Sequence, residues 1–283
     1  MPSYVITGAS RGIGFALLDQ LSEDANNVVV TIVRNKAATE SKITTELPGR
    51  KNIFVLQGDL TDVESIKNAF TETKKLLGDS LDVLIANAGY ISDYSGFLPL
   101  SELGSDTKAL DADLNQLFQV NVVGNIHLFN IFLPLIKNGQ AKKIVTISSG
   151  MSDEKLTLEI GLFEAGPYSI SKAAMNMVNA KFQAEFKKEG IIFMGVCPGS
   201  VDTGHYDNPR ENAYADWRLL AVSPEDLQRN IAMGGKFAGY APGFKGWATP
   251  RDSARDVLNI VQKATMEANG GQLVSHFGNK QWL

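Results

Sequence analysis

Four side chains in the 283-residue sequence have types and spacings that suit proton transfer. Tyr168 and Lys172 stand four apart in Tyr168-Ser169-Ile170-Ser171-Lys172, and residues at i and i+4 share a helix face. A free phenol ionises near pH ~10 and is a poor acid or base at neutrality. An ammonium a few ångströms away favours the phenolate and draws that pKa towards working pH. A tyrosine four residues before a lysine is also common on exposed helix faces, so the pair gains meaning only from its surroundings. Ser148-Ser149 follows the apolar run Ile144 to Ile147, with Ser149 nineteen residues before the tyrosine. A hydroxyl at a strand's carboxyl end can hydrogen-bond a substrate carbonyl oxygen. The fourth is Asn121, inside a helical pattern where asparagine is a mediocre helix former and, if buried, needs partners. It is either a satisfied core amide or the anchor of a water or backbone group beside an active site.

A second constellation suits phosphate. The apolar run Tyr4-Val5-Ile6 leads into Thr7-Gly8-Ala9-Ser10-Arg11-Gly12-Ile13-Gly14, after which Leu17, Leu18 and Leu21 recur at helical spacing. A strand, a glycine-rich turn and a helix start form an anion site from backbone N–H groups and the helix dipole. The spacing is G-x-x-x-G-x-G, neither the general dinucleotide fingerprint nor a P-loop. Val28 to Val33 reads as a strand buried on both faces. An acid at its end would bind the ribose 2′-hydroxyl of NAD, and an arginine would accommodate the 2′-phosphate of NADP. The sequence has Val33-Arg34-Asn35, and Arg11 offers a second guanidinium, so NADPH is expected.

The elements that must position these residues alternate along the chain. Ile53 to Leu56 and Leu81 to Ile85 read as strands ending in Gly58-Asp59-Leu60 and Asn87-Ala88-Gly89. Between them, Thr61 and Glu64 have capping-box spacing ahead of Val63, Ile66 and Phe70. Residues 90 to 113 read as irregular, and the helical period returns from Leu114. Ile144 to Ile147 and Ile191 to Val196 are further strands, the latter leading to Pro198-Gly199-Ser200-Val201-Asp202-Thr203. Gly271 to Val274 reads as a last strand, preceded by a helix that Thr249-Pro250 start. Such alternation predicts an α/β, doubly wound parallel sheet of about seven strands with helices on both faces, and ligands at the strands' carboxyl ends.

Composition excludes other classes. The sequence is 44% hydrophobic and 20% charged, ordinary for a globular protein. A net charge of −4 and no long Lys/Arg block make nucleic acid an unexpected partner. Val120 to Ile136 is interrupted by Asn121, Asn125, His127 and Asn130, which argues against a membrane span. Cys197 is the single cysteine, so no intrachain disulfide can form and a reducing, cytoplasmic setting is expected; no signal peptide is visible. The histidines at 127, 205 and 276 are too scattered for a metal site or hydrolase triad, and no metal is expected.

Taken together, T-G-x-x-x-G-x-G (Thr7 to Gly14), Asp59, N-A-G (Asn87 to Gly89), Asn121, the strand-end serine, Y-x-x-x-K and P-G-x-V-x-T (Pro198 to Thr203) resemble the short-chain dehydrogenase/reductase family over nearly the whole chain. The likeness is to its NADP-preferring, carbonyl reductase-like members. The resemblance implies a Rossmann-type fold spanning residues 1–283 as one domain. It implies cofactor contacts from Gly8, Ser10, Arg11, Gly12, Ile13 and Gly14, then from Arg34, Asp59 and Leu60. Asn87, Ala88, Gly89, Tyr168, Lys172, Pro198, Gly199, Val201 and Thr203 would complete them. Lys172 would contact the nicotinamide ribose and lower the Tyr168 pKa. Tyr168 would give its proton to the carbonyl oxygen, Ser149 would polarise that oxygen, and Asn121 would anchor a water linking Lys172 to solvent. Ser149 is preferred to Ser148 because the family's serine is the second residue past the last apolar position. Partners implied are a small, largely apolar carbonyl or alcohol and a second copy of the chain, as homodimer or homotetramer.

Two departures bear on the substrate. The serine-to-tyrosine interval exceeds the family's usual dozen or so residues, placing an extra segment (Gly150 to Pro167) beside the expected substrate mouth. Residues 204–248 read as a loop-rich insertion with His205, Tyr206, Tyr214, Trp217, Phe237, Tyr240, Phe244 and Trp247, suited to a lid over an apolar ligand. The expected activity is NADPH-dependent reduction of a ketone or aldehyde, or oxidation of the alcohol. The alternative is an NADP(H)-binding protein of the same fold that acts as a dehydratase, epimerase or cyclase, or as a cofactor sensor.

Overall fold

The β-branched runs of the sequence pair into one parallel sheet. A computed structural model describes residues 1–203, 224–244 and 246–283, with only the backbone described at 224–227 and 230. Among them, β1 (Ser3–Thr7), β2 (Val28–Val33), β3 (Ile53–Gln57), β4 (Val83–Ala86), β5 (Lys143–Ile147), β6 (Ile192–Cys197) and β7 (Leu273–Ser275) lie in the order β3-β2-β1-β4-β5-β6-β7. The order reverses at β1, which pairs Thr7 with Ile32 of β2 and Ile6 with Ile85 of β4. A crevice opens at such a reversal, beyond the carboxyl ends of the strands.

The first half alternates strand and helix as expected, through α1 (Gly12–Glu23), α2 (Lys36–Glu46) and α3 (Val63–Leu77). The middle holds α4 (Leu100–Leu103), α5 (Thr107–Phe118), α6 (Gly124–Asn138), α7 (Glu154–Ile160) and α8 (Gly166–Phe186). The last part adds α9 (Pro224–Tyr240), α10 (Pro250–Lys263) and α11 (Met266–Asn269). Alternate residues of each strand feed two cores. Ile6, Val29, Ile85, Val145 and Met194 pack with Leu17 of α1 and Val257 of α10. Val5, Val30, Leu84, Ile144 and Phe193 pack with Ile66 of α3, Phe129 and Phe132 of α6 and Met175 of α8. Each such fully buried side chain contributes about 1.5–3 kcal/mol.

Several local expectations change. Asp62, not Thr61, caps α3, accepting from the N–H groups of Glu64 and Ser65; Thr61 instead donates to Asp59. The helix expected from Leu114 begins at Thr107, because Asp106 caps it through the Ala109 N–H. It continues through a π-helical turn, Gln119–Val123, into α6. By length and composition the continuous helix Thr107–Asn138 could cross a membrane, but Leu128, Phe129, Phe132, Leu135 and Ile136 are buried in the core. The insertion read as loop-rich contains the seventeen-residue α9. His205, Tyr206, Tyr214 and Trp217 lie outside the described residues.

Gly14 of α1 sits against the residues that follow β1 and β4. A β-carbon on it would overlap the Gly8 carbonyl oxygen and the Asn87 side-chain nitrogen. Gly14→Ala is therefore expected to cost at least about 1–3 kcal/mol, read as a lower urea midpoint with an unchanged m-value. An unshifted midpoint would mean that the turn can open without loss.

Candidate active site

The glycine turn and the N-A-G segment form one surface. Gly8 has φ +74°, a conformation side chains disfavour, and a β-carbon on it would lie 2.9 Å from the Ala88 Cα. Asn87 donates through Nδ2 to the carbonyls of Thr7 and Gly8 (3.0 and 3.1 Å), and the Ala88 N–H donates to Thr7 Oγ1 (3.0 Å). Arg11 stands at the N-cap of α1 in extended conformation with no side-chain cap. The first N–H groups of α1 thus keep their capacity for an anion. Gly12 faces Thr203, whose Cβ lies 3.1 Å from where a Gly12 β-carbon would be. Ser10, Arg11 and Arg34 are exposed and Ile13 is half-buried. Neither arginine has a hydrogen bond or ion pair among the described residues. Arg34 directly follows β2, and Asn35 caps α2 through the Ala38 N–H. Asp59 is half-buried, and Leu60 is buried where Gly124 of α6 leaves room for it. These features fit the phosphates and adenosine of a dinucleotide: a cradle that β-carbons would fill, an uncapped helix start and uncommitted guanidinium groups.

Lys172 occupies the centre. It lies in the second turn of α8, buried, and its Nζ donates to the Ile147 carbonyl at the end of β5 (2.8 Å). The same Nζ stands 5.7 Å from the centroid of the Tyr168 ring, over its face. Gly89 completes the enclosure: a β-carbon there would sit 3.3 Å from both Lys172 Nζ and Asn121 Oδ1. Burial draws the Lys172 ammonium down to about 8, with Cys197 opposing that fall. Cys197 is itself buried, accepts the Gly150 N–H at Sγ, and has its thiol pushed up by burial.

Asn121 lies in the π-helical turn, a local widening frequent at functional sites. Its Oδ1 accepts the Tyr90 N–H (2.7 Å), while Nδ2 donates to the Tyr90 carbonyl (2.9 Å) and to Ser171 Oγ (3.0 Å). The side chain thus bonds the backbone one residue past Gly89 to the helix that carries Lys172. Ser148 and Ser149 diverge. Ser148 is buried and donates to Asn176 of α8 (2.9 Å). Ser149 is half-buried and accepts the Met151 N–H at Oγ (3.2 Å), which leaves its own proton free to donate.

The segment after β6 closes the crevice. The Pro198 carbonyl accepts from Ser253 of α10 (2.9 Å), and Val201 forms a parallel bridge with Ala248. His276 packs on Gly199, 2.9 Å from where a β-carbon would stand, and burial lowers its pKa. The extra residues between Ser149 and Tyr168 form a short 3-10 turn, then α7, capped by Asp153 through the Leu156 N–H. Sequence reasoning passed over Ser171, Asn176, Glu164 and Trp282. Ser171 lies inside the Tyr-Lys motif and Asn176 four residues beyond it on the same helix, so both were findable by spacing; Trp282 carries no local signal.

The family profile for short chain dehydrogenase matches residues 3–213. The chain belongs to the short-chain dehydrogenase/reductase family. Within this family of oxidoreductases it is 46% identical to the short chain dehydrogenase virK of Hypocrea virens and 44% identical to the short-chain dehydrogenase/reductase iacC of Pestalotiopsis fici, each over the full length of both chains. Its fold is that of the NADPH-bound carbonyl reductase from chicken fatty liver: TM-score 0.74 at 20% identity, covering 99% of this chain and 98% of that one. A short-chain dehydrogenase/reductase from Saccharomyces cerevisiae superposes at TM-score 0.72 with 25% identity, over 98% and 96% of the two chains.

The buried lysine makes stability depend on pH in a stated direction. Folded Lys172 loses its proton near pH 8, and an unfolded lysine near ~10.4. Between those values the unfolded state binds more protons, so stability rises with pH. Wild-type apoprotein should therefore gain on Lys172→Met from pH 8 to 10 in urea titrations. A flat difference would show that folded Nζ keeps its proton across that window.

Proposed function

We propose that the protein is an NADPH-dependent carbonyl reductase, with Tyr168 as proton donor to a ketone or aldehyde oxygen; the reverse reaction oxidises the alcohol. The observation that carries this reading is the position of Lys172 Nζ, bonded to the Ile147 carbonyl and facing the Tyr168 ring. A buried cation there favours the phenolate and brings the phenol's acidity into working range. A bound nicotinamide supplies hydride to the carbonyl carbon.

The protein's residues handle the oxygen. Tyr168 hands its phenolic proton to the oxygen as negative charge develops there. The Ser149 hydroxyl, already accepting from Met151, donates to the same oxygen and stabilises that charge. Lys172 holds its ammonium beside the resulting phenolate, and Asn121 keeps the Tyr90 backbone and α8 in register around it. On the other side of the crevice, the start of α1 with Gly12 and Gly14 receives phosphate. Arg34 and Arg11 receive the additional 2′-phosphate of NADP through charge-assisted bonds.

Two substitutions test this reading. Tyr168→Phe should lower kcat by about 10²–10⁴-fold, followed at 340 nm with NADPH and a panel of carbonyl compounds, and leave NADPH affinity little changed. Retained turnover would remove Tyr168 from the proton path. Arg34→Ala should weaken NADPH about ten- to a hundredfold in a nucleotide fluorescence titration, with NADH little affected. Equal weakening of both nucleotides would refute the phosphate contact.

A further inference from the structure

Three segments far apart in the chain meet beside the strand end that carries Ser149. The first is the 3-10 turn and α7, the second is α9, and the third is the end of the chain. Trp282, the penultimate residue, is 3% exposed. Its Cβ and Cγ lie 2.8 and 2.9 Å from where a β-carbon on Gly150 would stand, so the indole is wedged against the residue after Ser149. Leu156 of α7, Cys197 and Leu273 are buried around it, with Ile160 of α7 and Tyr240 of α9 packed against the cluster. The Trp282 N–H donates to the Tyr240 hydroxyl at 3.5 Å. A separate clasp ties α9 to the residues just ahead of Tyr168. Glu164, with its side chain 1% exposed, takes Lys236 through both oxygens (2.7 and 2.8 Å), and Phe163 lies under the same ammonium at 3.8 Å.

The inner and outer parts of this region are held differently. The Ser149–Gly150 backbone is secured from β6 and from within its own turn: Gly150 donates to Cys197 Sγ, and the Ser152 hydroxyl donates to the Ser149 carbonyl (2.6 Å). Ser152 is in turn bonded by Asn176 of α8 (2.8 Å). Among the described residues no such bonds run from α7 to the strand; what packs its inner residues Leu156 and Ile160 is the cluster around the indole. An aromatic residue of this size supplies most of the buried area in a small cluster, and its removal leaves a void that neighbours fill only in part.

We propose that Trp282 is a positioning residue that sets the width of the substrate mouth, by holding α7 and α9 against the Ser149 strand end. It thereby selects among carbonyl compounds by bulk without touching the reacting atoms. This rests on the reductase reading for its consequence, though not for its geometry. Removing the indole loosens the outer wall and spares the serine, tyrosine and lysine, so the change falls on KM and on discrimination by size.

The test uses the full chain with Trp282→Ala and Trp282→Phe. In the apoprotein, amide hydrogen exchange in α7 and α9 should quicken about tenfold in Trp282→Ala, while β1 to β6 keep their protection. With NADPH and two probes of different bulk, 4-nitrobenzaldehyde and benzil, the ratio of their kcat/KM values should shift about tenfold, chiefly through KM. Trp282→Phe, which refills most of the space, should restore both. Unchanged exchange in α7 and α9, or an equal fall in kcat/KM on both probes, would overturn the proposal. Exchange decides the positioning role without turnover; failure of the wild type to consume NADPH with either probe would count against the reductase reading instead.

Discussion

A lysine ammonium buried at the end of a β-strand is the constraint around which this protein is arranged. A charge taken out of water is costly unless it is hydrogen-bonded and compensated. Lys172 meets that condition through the Ile147 carbonyl and the face of the Tyr168 ring. The need for a carbonyl at that point ties α8 to β5. Room is tight at Gly89 as well, where a β-carbon would stand 3.3 Å from Nζ. Burial still lowers the lysine pKa to about 8, with Cys197 opposing that fall.

The same economy of space governs the nucleotide side of the crevice. Gly8, Gly14 and Gly89 are all points where a β-carbon would strike something specific: Ala88, the Gly8 carbonyl with the Asn87 amide, and Lys172 with Asn121. Asn87 and Asn121 act as matched staples. One closes β4 onto the glycine turn, and the other joins the Tyr90 backbone to α8. Between them they hold the uncapped start of α1 and the Tyr168-Lys172 pair at the carboxyl ends of the strands. Behind them the central strands are packed on both faces.

The region beyond the Ser149 strand end is built on other principles. Among the described residues, α7, α9 and the last residues of the sequence are joined by the cluster around one indole rather than by sheet pairing, and an ion pair ties α9 to Glu164 in the segment between α7 and α8. Few hydrogen bonds and a small apolar cluster make this region easier to reshape than the catalytic floor. The two regions thus differ in how they are held: Lys172 and Tyr168 rest against the sheet, and α7, α9 and Trp282 are segments added around it.

How much of this was legible in sequence follows from the range of the interactions. The alternation of strands and helices, the glycine turn and the spacing of Tyr168 and Lys172 depend on period and on neighbours within a few residues, and those signals survive in one dimension. The divergence of Ser148 and Ser149 was also foreseeable from alternation, and the structure has Ser148 bonded to Asn176. Local capping competition was misread where two candidates stood side by side: Asp62 took α3 because its carboxylate reaches two N–H groups, leaving Thr61 to Asp59. The glycines of α9 suggested a loop, yet Gly234, Gly235 and Gly239 lie in a helix whose Lys236 is clasped by Glu164, a tertiary contact outweighing weak propensity. Trp282 had no sequence signal at all. Its meaning comes from a contact with Gly150, 132 residues away in the chain, and only the folded sheet, by bringing β5, β6 and β7 together, places the two side by side.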